Sequence, residues 1–426
     1  MKKIDYQNVK GTQDYLPESE SVRRNIRRTL EDVFIQYGCQ PLETPILNYT
    51  ELLASKYGGG AEILEEMYTL TDRGERDLAL RYDLTIPFAK VAAMNPTLKM
   101  PFKRYEIGKV FRDGPIKTGR LREFTQCDVD IVGADSQMAE AELIMMALDA
   151  FDKLGMQVNI QYNNRKLLTG ALEVFGVADA KINKVVLILD KLEKIGVDAV
   201  IAELAELGVS DDAVRSIKQF LTAGYHTDFT RFESLSNQNE QVRQGLQELK
   251  ELKSYLDYVD ISDQCIFNPF LARGLEIYTG TVYEMFLADD SMKSSIGSGG
   301  RYDNAIGGLI GTDEIVSTVG ISFGLDVIYT AMAAEGIQPA GREVDYYIIP
   351  LGRQKESLSV STYFRDKGYN VEVELGNKKV GKALDRANKE KIRNVIIIGD
   401  EEVRKNQFNV KNMLSGKETV EAFSFR

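Results

Sequence analysis

The stretch FRDGPIKTGRLREFTQCDVD, residues 111–130, gathers four cations, Arg112, Lys117, Arg120 and Arg122, around Gly114 and Pro115, and then enters an apolar strand that carries acids. Arginines leaving a strand beside a basic loop suit a polyphosphate, because guanidinium groups bind phosphate oxygens through charge-assisted hydrogen bonds. Side chains alternate along a strand, so Gln126 and Asp130 face the same way, as do Arg122, Phe124 and Asp128. Gln and Asp beside phosphate-binding arginines can hold a ligand amine or an imidazole. A charged surface hairpin accounts for the cations equally well. It does not explain an acid at every second strand position after a glutamine.

Further chemistry-bearing residues lie downstream. In FLARGLEIYTGTVYEMF, residues 270–286, Arg273 precedes an apolar strand, and alternation sends Glu276, Tyr278 and Gly280 to one face. A buried tyrosine hydroxyl needs a hydrogen-bond partner, which makes Tyr278 either a ligand contact or an ordinary strand residue. The glycine-rich segment GSGGRYDNAIGGLIG, residues 297–311, lets backbone approach a ligand closely. It has neither the GxxxxGK[ST] pattern of a P-loop nor GxGxxG.

Other chemistries are excluded. The three cysteines, Cys39, Cys127 and Cys265, are far apart, no CxxC exists, and His226 is the single histidine. These counts argue against a Cys/His zinc site, and His226, in a polar context with no nucleophile motif nearby, reads as a surface histidine rather than a triad member. The work falls to carboxylates, arginines, tyrosines and glycine backbone. A net charge of −11 argues against broad nucleic-acid binding but permits a local basic face. One such face is NKKVGKALDRANKEKIRN, with Lys378, Lys379, Lys382 and Arg386 among its cations and only Asp385 and Glu390 opposing them between residues 378 and 393. It is either an RNA phosphate face or a solvated helix.

These residues need elements to position them. At 426 residues, with 43% hydrophobic and 27% charged side chains, the chain predicts two or three globular domains. It shows no signal peptide and no membrane-length apolar run, which points to a soluble intracellular protein. Residues 21–38 have helical spacing ending at Gly38. CQPLETPIL is extended, and its prolines keep it off a central ladder. A turn at Asp72–Gly74, a helix from about Thr85, a long antiparallel hairpin through the 111–130 loop, a helix at about 136–154 and a strand at about 157–163 follow. Residues from about 168 to 255 turn helical in period and composition, as an insertion. Strand signals then return, and a helix is predicted to start near Ser322. AAEGIQPAGRE, residues 333–343, reads as a linker, and a fresh strand–helix alternation after it predicts a small parallel or mixed sheet.

Taken together, the motifs resemble the histidyl-tRNA synthetase family of class II aminoacyl-tRNA ligases, from KGTQDYLPE through to the C-terminal region. CQPLETPIL resembles class II motif 1, with Pro45 at a dimer interface. LALRYDLTIPFAKVAAMN resembles the segment holding the amino-acid amine, at Asp83 and Thr85. The 111–130 stretch resembles motif 2, with Arg112 on the ATP and carboxylate side, Gln126 at the α-amine and Asp130 at the imidazole. ARGLEIYTGT resembles the first histidine motif, with Arg273 at the α-phosphate and Tyr278 as the second imidazole partner. GGRYDNAIGG resembles the second histidine motif, and VGISFGLD motif 3.

The resemblance implies an α+β class II catalytic domain at 1–330, an antiparallel sheet flanked by helices with a helical insertion at about 168–255. It implies a linker at 331–343 and an α/β anticodon-binding-like domain at 344–426. It further implies a cytoplasmic homodimer that uses ATP with Mg2+, histidine and tRNA(His), with Arg112, Arg120, Arg122 and Arg301 on ATP and Lys378, Lys379, Lys382 and Arg386 on tRNA. The sequence departs from the family at three points. Gly114 and Pro115 replace the usual loop Glu and Arg. Ile277 replaces the tyrosine before Tyr278. Val327 replaces the motif 3 arginine, for which Arg301 or a loop lysine would stand in. A histidine-binding regulatory paralogue, such as the subunit that partners ATP phosphoribosyltransferase, is the alternative, although it generally lacks the C-terminal domain. A specialised histidine-activating duplicate is another.

Overall fold

The computed structural model describes residues 6–55, 61–116, 119–222, 229–272, 277–289, 291–334, 344–376 and 378–425. His226, Arg273, Glu276, Lys117 and most of the expected linker lie outside them. The chain divides into two compact units, Met1–Asp14 with Arg23–Glu335, and Tyr15–Val22 with Gly336–Arg426. Among the described residues no helix is long and apolar enough to cross a membrane.

The first unit is built on an eight-stranded mixed sheet. Its strands are β1 (Gln40–Pro41), β5 (Phe102–Phe111), β6 (Glu123–Val132), β7 (Val158–Asn164), β8 (Cys265–Phe267), β9 (Thr281–Leu287), β10 (Gly297–Arg301) and β11 (Thr318–Gly324), in the order β1-β5-β6-β11-β10-β9-β7-β8. A small sheet of β2 (Leu47–Tyr49), β3 (Thr69–Thr71) and β4 (Asp77–Leu80) stands apart. The central pairings are antiparallel; only the two-residue β1 and the edge strand β8 pair in parallel. Pro41 and Pro45 keep the segment after Gly38 short and at the edge, as a missing N–H requires.

One face of this sheet is apolar and covered. Val129, Ile131, Ile321 and Phe323 are buried there. Phe34, from the helix Pro17–Gln36, and Phe151, from the helix Met138–Lys153, set their rings 5.6 and 5.8 Å from Phe323. Each such ring removes roughly 2–3 kcal/mol worth of apolar surface from water. The opposite face is polar and glycine-rich, and the functional residues collect on it.

Helices run from Arg165 to Tyr258 between β7 and β8, and pack a core of their own around Ile182, Val186, Val200, Leu204 and Ile217. The second unit carries a five-stranded sheet of β12 (Tyr346–Pro350), β13 (Val371–Val373), β14 (Asn394–Ile398), β15 (Gln407–Asn412) and β16 (Glu418–Ala422), ordered β13-β12-β14-β15-β16. The first three strands are parallel and the rest antiparallel. Alternation along β12 sends Ile348 to the helix Gln354–Asp366 and Tyr347 and Ile349 to the helix Val380–Lys389.

One boundary differs from the sequence expectation. The helix predicted from near Ser322 begins at Leu325, because residues 318–324 pair with Gln126–Val132 of β6 and residues 319–323 with β10 first. Ser322 is therefore a sheet residue, opposite Asp128.

Candidate active site

The register of the central strands assembles the polar face. Across β5 and β6, Arg104 sits opposite Asp130, Glu106 opposite Asp128 and Gly108 opposite Gln126. On the other side of β6, Gly320, Ser322 and Gly324 oppose Asp130, Asp128 and Gln126. The residues without side chains make room for the large ones. A Cβ at Gly320 would lie 1.9 Å from Asp130 Oδ1, and one at Gly108 would lie 2.1 Å from Arg81 Nη2. The result is a floor of buried charge rimmed by half-buried Asp83, Thr85, Arg112, Gln126, Tyr278 and Ser322.

Asp130 is held from two sides. Arg104 Nη2 lies 2.5 Å from Oδ2, and the Tyr302 hydroxyl donates to Oδ1. Arg104 is fully buried; its guanidinium stacks 4.3 Å from the Phe88 ring centroid and donates to the Leu84 carbonyl at 3.3 Å. Burial works against the arginine's charge, yet Asp130 and Asp128 hold its pKa above the usual value. Burial pushes the Asp130 carboxyl up, with Arg104 and Tyr302 opposing. Glu106 is locked by Arg81 at 2.8 Å and by the Thr44 amide and hydroxyl at 2.9 Å, which ties the segment before Pro45 to β5.

Asp128 stands between Gln126 and Asp130 and is differently provided for. It is 3% exposed, and its Oδ1 has no hydrogen-bond partner among the described residues. Gln126 Nε2 donates to Ser322 Oγ at 2.7 Å, while Gln126 Oε1 is likewise unpartnered. Burial raises the Asp128 carboxyl to about 7, with Arg104 opposing and Asp130 and Asp83 adding to the rise. Asp83 begins the helix Thr85–Met94 by accepting the Ile86 amide at 3.0 Å. Its carboxyl is also pushed up by burial.

The arginines lie toward the hairpin end. Arg112 is clamped between Tyr82 and Phe124, 4.1 and 5.2 Å from their ring centroids, and its Nε donates to the Tyr82 carbonyl at 3.2 Å. Arg120 pairs with Glu66 at 3.0 Å, and Arg122 with Asp113 at 2.9 Å. Gly119 sits against Val327: a Cβ there would lie 3.6 Å from both valine methyls. Asp326, beside Val327, accepts the Thr125 amide at 2.7 Å and pairs with the buried Arg23.

Arg301 requires a correction. Alternation along β10 sends it to the helix-covered face, where Glu140 grips it through two bonds of 2.6 and 2.8 Å, with the Ala134 carbonyl at 3.0 Å. It is 3% exposed and braces the sheet, so no donor is directed at the polar face. Ile277 packs among Phe88, Ala89 and Tyr302 and among Leu53 and Met67. The Tyr278 ring lies over Gly300, where a Cβ would come within 2.9 Å of it. The glycines at 299 and 300 thus serve close approach within the sheet rather than a ligand loop. Burial pushes the Cys39 and Cys265 thiols up to about 12, so neither is a thiolate at neutral pH.

Such a face, acids at one end and arginines at the other, can hold a small cation-bearing acid next to a phosphate. Comparison with known proteins decides which. A family model described as histidyl-tRNA synthetase matches residues 11–328, and an anticodon binding domain matches 345–424. The chain belongs to the histidyl-tRNA synthetase family. It is 60% identical over 425 residues to histidine–tRNA ligase 2 of Shouchella clausii, covering 100% of both chains. It is 53% identical over 416 residues to histidine–tRNA ligase 1 of Bacillus anthracis, covering 97% of each. The solved histidyl-tRNA synthetase from Nostoc sp. PCC 7120 matches with a TM-score of 0.85 at 30% identity, over 99% of this chain and 97% of that one. The class II fold and the C-terminal anticodon-binding domain follow from these matches.

Within this family site, sequence reasoning missed Arg104, Tyr302, Glu66 and the free oxygen of Asp128. Tyr302 lies inside the quoted GGRYD, but its aim at Asp130 depends on how β10 meets β11. Arg104 is found only once the hairpin register is known.

Proposed function

We propose that this chain is a histidine–tRNA ligase. It activates histidine with ATP and transfers it to the 3′ end of tRNA(His). What carries the reading is the polar sheet face, where an oriented carboxylate, a glutamine and a clamped arginine lie in line in a chain of this family. Asp130, fixed by Arg104 and Tyr302, keeps lone pairs for an imidazole N–H, since an ionised carboxylate has about four acceptor sites. Tyr278 serves the other ring nitrogen. Asp83, Thr85 and Gln126 take the α-amine. Arg112 and Arg273 take the substrate carboxylate and the α-phosphate.

The histidine carboxylate oxygen attacks the α-phosphorus in line, the bond to the β-phosphate oxygen breaks, and pyrophosphate leaves. The terminal ribose hydroxyl of the tRNA then attacks the carbonyl of the adenylate, and AMP leaves. No side chain acts as nucleophile. Positioning and charge stabilisation supply the rate. Mg2+ arrives with the phosphates of ATP, and among the described residues no group of three His, Cys, Asp or Glu side chains is placed to hold a metal.

Residues 1–330 form the catalytic domain, with the helical insertion at about 168–255. Residues 344–426 bind the anticodon stem, with Lys378, Lys379 and Lys382 facing phosphate. The exposed Ile46, Leu47 and Tyr49 beside Pro45 support a homodimer. Arg386 is a poorer tRNA contact than Lys379 and Lys382, because Glu372 and Glu390 each hold it at 2.7 Å, and Lys378 is drawn toward Glu374 at 3.6 Å. The test is amino-acid-dependent ATP–pyrophosphate exchange across all twenty amino acids. Exchange with histidine alone is expected. Histidine binding without exchange would move the chain to the regulatory class.

A further inference from the structure

Two carboxylate oxygens of the polar floor have no hydrogen-bond partner among the described residues, Asp130 Oδ2, which is ion-paired with Arg104, and Asp128 Oδ1, whose carboxyl is bonded only by Ser322. Asp130 has Arg104 and Tyr302, and Glu106 has Arg81 and Thr44. Asp128 Oδ1 has no partner among the described residues although the side chain is 3% exposed. A buried carboxylate oxygen left unpaired costs free energy comparable to a lost hydrogen bond, and more if charged. The floor also has a charge imbalance. Among the described residues four acids, Glu106, Asp128, Asp130 and Asp83, stand against three arginines, Arg81, Arg104 and Arg112. The structure therefore carries a place for one more positive charge.

The position of Asp128 says which charge. It lies directly across from Ser322, the residue that receives Gln126 Nε2. It also feels the field of Asp83. Gln126 and Asp128 thus share one face of β6 and meet at Ser322, with Arg104 and Asp130 acting on Asp128 from one side and Asp83 from further off. On the proposed reading that point is the amine end of the amino acid. An α-ammonium is a compact cation with three donors, and of Asp83, Thr85 and Gln126 only Asp83 can carry a negative charge, with its Oδ1 already accepting the Ile86 amide.

We propose that Asp128 is a further specificity-determining residue of the histidine pocket, its free Oδ1 receiving the substrate's α-ammonium beside Gln126 and Asp83. The inference rests on the histidine-activating reading. The pocket then selects for a free amine as strongly as for an imidazole, and rejects des-amino analogues by leaving Asp128 buried and unpaired.

The test uses the full chain and two variants, Asp128→Asn and Asp128→Ala, in histidine-dependent ATP–pyrophosphate exchange. The KM for histidine is measured, together with inhibition constants for histamine, which keeps the amine, and imidazole-4-propionate, which lacks it. Both variants should bind histidine and histamine more weakly by roughly ten- to a hundredfold, the range of a hydrogen bond to a charged group. Imidazole-4-propionate should bind as well as before or better, and the KM for ATP should stay unchanged. Equal weakening of both analogues would overturn the proposal and make Asp128 a support for Arg104. Unchanged constants for all ligands would overturn it too. A wild-type chain that gives no exchange with histidine would instead sink the underlying functional reading, a separable result.

Discussion

The same aspartate predicts an unusual stability profile. Burial lifts the Asp128 carboxyl from an ordinary 3.8 to about 7. The folded chain therefore holds a proton there that the unfolded chain releases near pH 4. Stability is full below pH 4, falls as pH rises through the window from about 4 to 7, and is flat above it. A rise of about three units at about 1.4 kcal/mol each puts the loss at roughly 4 kcal/mol by pH 8. Asp128→Asn has nearly the same shape and cannot ionise. Without ligand, the variant should match the wild type at pH 4 and exceed it by up to about 4 kcal/mol at pH 8, or roughly 5 °C in melting temperature. Asp83, Asp130 and Glu140 also have raised carboxyls, but both proteins share them. The chain has one histidine, so few other groups titrate in this range. Thermal melts from pH 4 to 8.5, with and without saturating histidine, are the assay. Histidine should stabilise the wild type more than the variant. A variant that melts below the wild type at pH 8, or a difference that does not change with pH, would refute the reasoning.

Three further outcomes are expected. Arg273→Ala should abolish ATP–pyrophosphate exchange while leaving circular dichroism and melting unchanged; normal exchange rates would remove its role at the α-phosphate. Arg104→Leu should destabilise the first unit by about 3–5 kcal/mol in denaturant titration, because Asp130 loses its buried cation. A neutral result would mean that Tyr302 alone secures Asp130. Lys379→Glu with Lys382→Glu should weaken tRNA charging and flatten its salt dependence, with exchange unaffected; loss of both activities together would point to misfolding.

Legibility in the sequence followed the range of the interactions. Alternation within one strand was readable, so the shared face of Gln126 and Asp130 and the hairpin around residues 111–122 were evident from spacing. So was the strand–helix alternation after residue 344. What depends on register between distant strands was not readable. Arg104 opposes Asp130 only because Phe102 pairs with Val132, and nothing local dictates that pairing. Arg301 follows two glycines in a motif-like string, yet one position of alternation decides whether it meets phosphate or Glu140. Arg386 looked like one cation in a row of equals, but its acid partners come from β13, its following loop and its own helix. The start of the last helix of the first unit slipped by three residues because strand pairing overrode local helix propensity.

The arrangement of charge on the sheet face also bears on the missing motif 3 arginine. Arg112 lies against Phe124, toward the hairpin end of the strand that carries Asp130. On the proposed reading the amine and imidazole lie toward the acids and the carboxylate toward the arginine. A zwitterion entering this field has one favourable direction, and it is the direction that presents the carboxylate to the α-phosphorus. Alignment of the reacting atoms is thus set by groups that this chain retains. On the proposed reading Val327 stands where the family places a cation on the leaving-group side, and a Cβ at Gly119 would lie 3.6 Å from both of its methyls. The consequence falls on binding and release of pyrophosphate rather than on orientation of the attack, so the KM for ATP, more than the selection of histidine, is where this substitution should be felt.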